Sequence, residues 1–122
     1  MSQLEPKIYS VLSGAAAVAA VVSTRIYPVV LPQDVTLPAI TYSRISGGQV
    51  NSLTGYSGLE NPRIQIDVWG ATYPACQTLA ADVHTAMDAA TTFGAHLESD
   101  MDFYEDDTKI YRVSMDFSVW NN

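Results

Sequence analysis

The chain has 122 residues, 48% of them apolar and 16% charged, with 13 acidic against 6 basic side chains and a formal net charge of −7. That length and apolar share predict one folded domain, residues 1–122, burying roughly two-thirds of its unfolded surface, and exclude a disordered chain. A net-negative surface repels phosphate, so tight DNA or RNA binding, which relies on Lys and Arg to displace counterions, is excluded as the main task.

The single cysteine, Cys76, can form no internal disulfide, which fits assembly in a reducing cytoplasm. The apolar run at residues 15–22 is far shorter than the roughly 20 residues of a spanning helix, so no membrane segment is expected. Glu5 beside Lys7 leaves no basic start for a secretory signal.

Taken in chain order, Ser2 followed by Glu5 three residues later has the form of a capping box. Leu4, Ile8, Val11 and Leu12 then recur at helical spacing, with Pro6 tolerated in the first turn. Ser13-Gly14 ends this helix, and residues 15–22 predict a second, short one whose small side chains allow close packing. Residues 24–30 read as a short strand. Pro28, Pro32 and Pro38 hold residues 31–38 in an extended crossover, because each ring fixes φ and pushes the preceding residue to extended geometry. Residues 39–46 form a second strand, Ile40 and Tyr42 on one face, Thr41, Ser43 and Ile45 on the other.

Residues 47–58 are rich in glycine and serine and too long for a minimal turn. Leu53 and Tyr56 are apolar residues with nowhere local to be buried, so the segment is either a mobile hairpin tip or an arm that orders on a partner. Residues 63–69 alternate Ile64, Ile66 and Val68 against Arg63, Gln65, Asp67 and Trp69, and Gly70 ends the strand. A long helix follows, with Pro74 in its first turn and a stripe of Cys76, Leu79, Ala80, Val83, Met87 and Ala90. After Gly94 a hairpin is expected. Leu97, Ser99, Met101 and Phe103 alternate with His96, Glu98, Asp100, Asp102 and Tyr104; an acidic turn follows, Glu105-Asp106-Asp107-Thr108. Tyr111, Val113, Met115, Phe117 and Val119 then alternate with Arg112, Ser114, Asp116 and Ser118. One apolar and one wet face on each strand predicts an α+β fold: a mainly antiparallel sheet of about four to five strands, one long helix across one face and a short N-terminal helix.

The order of the motifs Arg25-Ile26-Tyr27-Pro28, Leu37-Pro38-Ala39-Ile40-Thr41-Tyr42 and Ile64-Gln65-Ile66-Asp67-Val68-Trp69, with the glycine/serine loop between the second and third and the long helix after, resembles the tail completion (tail terminator) family of long-tailed bacteriophages. The resemblance spans roughly residues 8–90. It implies a structural protein of a phage or prophage virion, assembled in the bacterial host cytoplasm and located in the tail. Such a protein caps the completed tail tube and joins tail to head as a homo-oligomeric, hexameric ring. The implied partners are further copies of itself, the tail tube protein and the head-tail connector protein. A ring requires a heterologous interface.

Sites of chemistry are scarce. His96, Glu98, Asp100 and Asp102, read as one strand face, suggest divalent-metal ligands, but steps of two place side chains some 6–7 Å apart, too wide for one ion. His84 and Asp88, with Asp82 nearby, are ordinary surface pairing on a helix. Cys76 lies on an apolar stripe without a basic neighbour, which fits a buried hydrophobe and not a nucleophile. No catalytic, cofactor or metal motif is present, and no enzyme activity is expected. Trp69, Trp120, Tyr104 and Tyr111 are either partner-surface aromatics or edge packing. Leu53 and Tyr56 are the candidate partner-binding residues. Glu98, Asp100, Asp102, Glu105, Asp106 and Asp107 are the candidate acidic lining of a bore through which DNA passes unretained. Two competing readings are a small α+β ligand-binding or regulatory module acting as a dimer, and a metal-dependent enzyme using the His96–Asp102 face.

Overall fold

In the computed structural model the backbone of residues 4–46, 49–52 and 55–120 is described, with the side chains of residues 4–45 and 61–120. Ser2 of the expected capping box lies outside these residues. Helix α1, Leu4–Gly14, buries Leu4, Ile8 and Leu12 completely, one residue per turn on a single stripe. The chain then bends by 85° into α2, Ala16–Val22, which buries Val18 and Val22. Among the described residues no single helix is long and apolar enough to cross a membrane.

The strands are β1 (Ile26–Pro28), β2 (Ala39–Ser46), β3 (Gln49–Ser52), β4 (Gly55–Glu60), β5 (Arg63–Gly70), β6 (Gly94–Glu105) and β7 (Ile110–Trp120), with α3 (Tyr73–Asp88) between β5 and β6. Five of them form one sheet in the order β1-β2-β5-β7-β6. Its pairs are antiparallel except β1–β2, which run parallel because the proline-bounded crossover returns the chain in the same direction. The predicted α+β architecture is what forms. Strand β1 is shorter than residues 24–30 because Val29 adopts φ 65°, a left-handed conformation costly for a β-branched residue, which breaks the extended run after Pro28.

Helix α3 crosses one face of the sheet. Thr72 caps its start, its Oγ1 accepting from the Ala75 amide at 3.3 Å, and Pro74 occupies the first turn. The helix lays Cys76, Leu79, Ala80, Val83 and Met87 onto Ile64, Ile66 and Val68 of β5 and Val113, Met115 and Phe117 of β7. Gly70 lets the helix approach closely, since a Cβ there would meet Cys76 atoms at 3.2–3.3 Å. Helices α1 and α2 complete the same core.

Two sequence expectations change. The described parts of the 47–58 segment are strands: β3 and β4 pair antiparallel as a separate two-stranded ribbon reaching Glu60. Leu53 lies outside the described residues, and Tyr56 is described only by its backbone in β4.

The second change is in β6. Its register against β7 slips between Leu97 and Ser99, leaving Glu98 as the extra residue. A bulge of this kind reverses the faces beyond it. Leu97, opposite buried Phe117, therefore shares the helix-covered face with Asp100 and Asp102, which oppose Met115 and Val113. His96, Ser99, Met101 and Phe103 lie on the open face instead. Met101 is 60% exposed as a result. The expected face of His96, Glu98, Asp100 and Asp102 does not exist.

Candidate assembly surfaces

The sheet's open face carries an aromatic and ionic cluster built by register. Trp69, Arg112 and Phe103 are successive cross-strand partners on β5, β7 and β6. The Arg112 guanidinium lies 5.2 Å from the Trp69 ring centroid and 4.4 Å from that of Phe103, so it is held between two π faces. Trp69 Nε1 donates to Thr41 Oγ1 at 3.0 Å, which fixes the indole. One row along, Asp67 is almost fully buried. Gln65 Nε2 donates to both its oxygens at 3.1 and 3.0 Å, and Arg112 NH1 sits 3.5 Å from Oδ2. Arg112 Nε is buried without a hydrogen-bond partner, so the rings hold this arginine as much as its acceptor does. Further along, Arg63 donates to Asp116 from both Nε, at 3.1 Å, and NH2. The hydrogen bond to Asp116 raises the Arg63 pKa.

The candidate acidic residues divide among four settings. Asp102 accepts from Tyr73 OH and Gln77 Nε2, both at 3.0 Å, tying β6 to the start of α3. The bond to Asp102 raises the Tyr73 pKa. Asp100 borders a groove between β6 and α3, with Gln77, His84 and Leu97 among its other walls. Glu98 occupies the bulge, and Glu105, Asp106 and Asp107 stand exposed at the hairpin tip, where Tyr104 and Tyr111 pack at 4.7 Å. His96 opens to the other side of the sheet from Asp100 and Asp102. Among the described residues no group of three or more His, Cys, Asp or Glu side chains converges as metal ligands.

The remaining titratable candidates behave as the sequence predicts. His84 Nε2 pairs with Asp88 at 3.3 Å, both side chains partly exposed, with His84 at the border of that groove. Cys76 is fully buried, its Sγ donating to the Val68 carbonyl at 3.2 Å, and burial pushes the thiol up to about 11. A thiol so protonated is no nucleophile.

The two edges of the sheet differ. On β1, the Ile26 amide donates to Thr24 O at 2.8 Å, Pro28 has no amide, and the Val30 amide takes Pro28 O at 2.7 Å. The Val29 amide points back to Tyr42 O at 2.9 Å. This edge is blunted. By contrast β6 runs from Gly94 to Glu105, almost every residue exposed along its outer half, and no described strand pairs with its far side.

Sequence reasoning did not find the Trp69–Arg112–Phe103 stack, because Phe103 was assigned to the covered face. The signal available was Ser99: a polar residue interrupting the apolar alternation two steps after Leu97.

A family model described as "Tail completion protein gp17" matches residues 6–122. Among solved structures, the chain is similar to one from the virion of a native gene transfer agent particle. The TM-score is 0.74 at 18% identity, over 96% of this chain and 92% of that one. No curated protein matches the chain.

Proposed function

Because the chain belongs to the tail completion protein gp17 family and is a structural protein of the virion tail, we propose that it forms a closed ring that caps the finished tail tube and joins it to the head. The observation that carries this reading is the family match over residues 6–122, almost the whole chain. No chemistry is required. A ring stops tube growth by covering the end to which subunits add, and its faces then present fresh surface to the connector. The ring is a hexamer of identical chains, its partners the tail tube protein and the head-tail connector protein.

Two parts of the subunit are assigned roles in that ring. The β3–β4 ribbon, with Leu53 and Tyr56, reaches the tube or the connector. A free two-stranded ribbon is marginal alone and gains by docking, which supports that role. The acidic tip Glu105, Asp106 and Asp107, together with Glu98 at the bulge, lines the bore. Asp100 and Asp102, facing the helix layer, contribute field from behind it. An anionic wall lets DNA pass without counterion release and retention.

Electron microscopy of the purified chain with and without tail tubes, paired with solution mass, tests the proposal. Rings of one size seated at tube ends are expected. Tubes left bare at saturating protein would refute it. Within such rings, lysines replacing Glu105, Asp106 and Asp107 should create salt-sensitive DNA binding absent from the native ring; rings with this turn on the outside would refute the bore assignment.

A further inference from the structure

We propose that the free edge of β6 is a strand-acceptor site, and that its occupant is an extended segment of a different protein whose residues alternate cationic and apolar. The inference rests on the assembly reading above only for its setting, in which that protein is another component of the virion.

The backbone supplies the first half of the argument. Strand β6 spans Gly94–Glu105 and its outer side pairs with no described residue, whereas β1 at the opposite margin has its amides turned inward or removed by Pro28. Natural sheets guard long open edges unless something uses them. An added strand would satisfy that row of amides and carbonyls, as in other peptide recognition by strand addition.

The side chains define the occupant. Beyond the bulge, over Asp100–Phe103, the helix-covered face of β6 presents Asp100 and Asp102, and the open face presents Met101 and Phe103; Tyr104 and Glu105 follow on those two faces in turn. A neighbouring strand places its own side chains roughly 5 Å away on the same alternation, so it meets carboxylates at one parity and apolar groups at the other. Lysine or arginine at every second position, with aliphatic residues between, matches both.

A second copy of this chain does not match. Two β6 edges side by side would oppose Glu98, Asp100, Asp102 and Glu105 with the same four acids, an arrangement without a single Lys or Arg in the strand. The β1 edge is blunted. No strand of this chain carries more than one Lys or Arg: Arg44 in β2, Arg63 in β5, Arg112 in β7. The cations therefore come from elsewhere.

The test uses the full chain and a fluorescent synthetic peptide of about nine residues alternating lysine with valine, the length that roughly 30 Å of strand accommodates. Fluorescence anisotropy should show saturable binding. A peptide of the same composition with its lysines in one block should bind at least roughly tenfold more weakly, a gap of about 1.4 kcal/mol. N-methylation of alternate amides along one peptide edge should abolish binding. Asp100→Lys, on an exposed side chain, and separately Met101→Lys should each weaken it by roughly tenfold with circular dichroism unchanged. Equal binding of the blocked or methylated peptide would mean simple charge attraction and overturn the proposal. So would self-association of the chain, read by solution mass, that the peptide abolishes, which would make a second copy the occupant. Ring formation on tail tubes is scored separately, so either idea can fail while the other stands.

Discussion

Replacing Arg112 by methionine removes a cation from between two rings and from a buried carboxylate, and the cost can be worked from the geometry. Arg112 NH1 lies 3.5 Å from Asp67 Oδ2, the two side chains being 26% and 9% exposed. At an effective dielectric near 20 the gross attraction over that distance is roughly 5 kcal/mol, most of it offset by desolvation. Breaking a buried pair by removing one partner costs about 3–5 kcal/mol. The long contact and partly exposed guanidinium place this pair lower, at about 2 kcal/mol. Losing the contacts at 5.2 and 4.4 Å to Trp69 and Phe103 adds ~0.5–1 kcal/mol each, while methionine recovers part of the packing. Arg112→Met should therefore cost about 2–3 kcal/mol in urea unfolding followed by tryptophan fluorescence, with Trp69 as an adjacent reporter. In an Asp67→Asn background the same change should cost at least ~1 kcal/mol less, because no carboxylate is left unpaired. An equal cost in both backgrounds would refute the coupling. A loss below ~1 kcal/mol in the native background would refute the sandwich as well.

Phe117→Ala empties the centre of the core, where Phe117 is fully buried opposite Ile64 and Leu97. The expected loss is about 3–5 kcal/mol, or roughly 12–20 °C in Tm for a chain of this size, read by calorimetry. Thr72→Ala removes the oxygen that accepts from the Ala75 amide and should cost about 1 kcal/mol of stability in denaturant titration. Cys76, its thiol raised to about 11 by burial, should resist alkylation in the native state and react fully in urea. Its folded pKa lies above the unfolded value, so the stability it lends is complete below about pH 8.5 and is lost as pH climbs towards 11. Tyr42, raised mainly by burial, acts in the same direction at alkaline pH. In Cys76→Ala the alkaline decline should be shallower; an identical slope would show that the thiol does not contribute.

Most of the architecture was legible because burial imposes periodicity. The stripe Cys76, Leu79, Ala80, Val83 and Met87 and the alternation of Ile64, Ile66 and Val68 each encode a buried face directly and are buried, while Ala90, read as the last member of the stripe, lies past the helix end at Asp88 and is only partly buried. The parallel partner of β1 was not legible, since three residues carry too little pattern to reveal a neighbour. Strand β4 was hidden because Gly55, Ser57 and Gly58 suit turns as readily as a strand. The faces of β6 were misread for a different reason: strict alternation assumes no inserted residue, and a bulge is visible only in the pairing with β7. That one slip moved Met101 and Phe103 onto the open face and hid the Arg112 stack from sequence reasoning. At the candidate surfaces, residue types were legible but their grouping was not, because long-range register decides which acids share a side.

Pro28 and the inward-turned amides around it have a consequence for life at high copy number. A sheet can lengthen indefinitely only when each new molecule brings both a donor margin and a receiver margin. The five-stranded sheet brings a sealed margin on one side and, on the other, one whose charges are all acidic, so among the described strands its margins do not join copy to copy into a fibril. Any lateral growth of the sheet must end with the first foreign strand that docks.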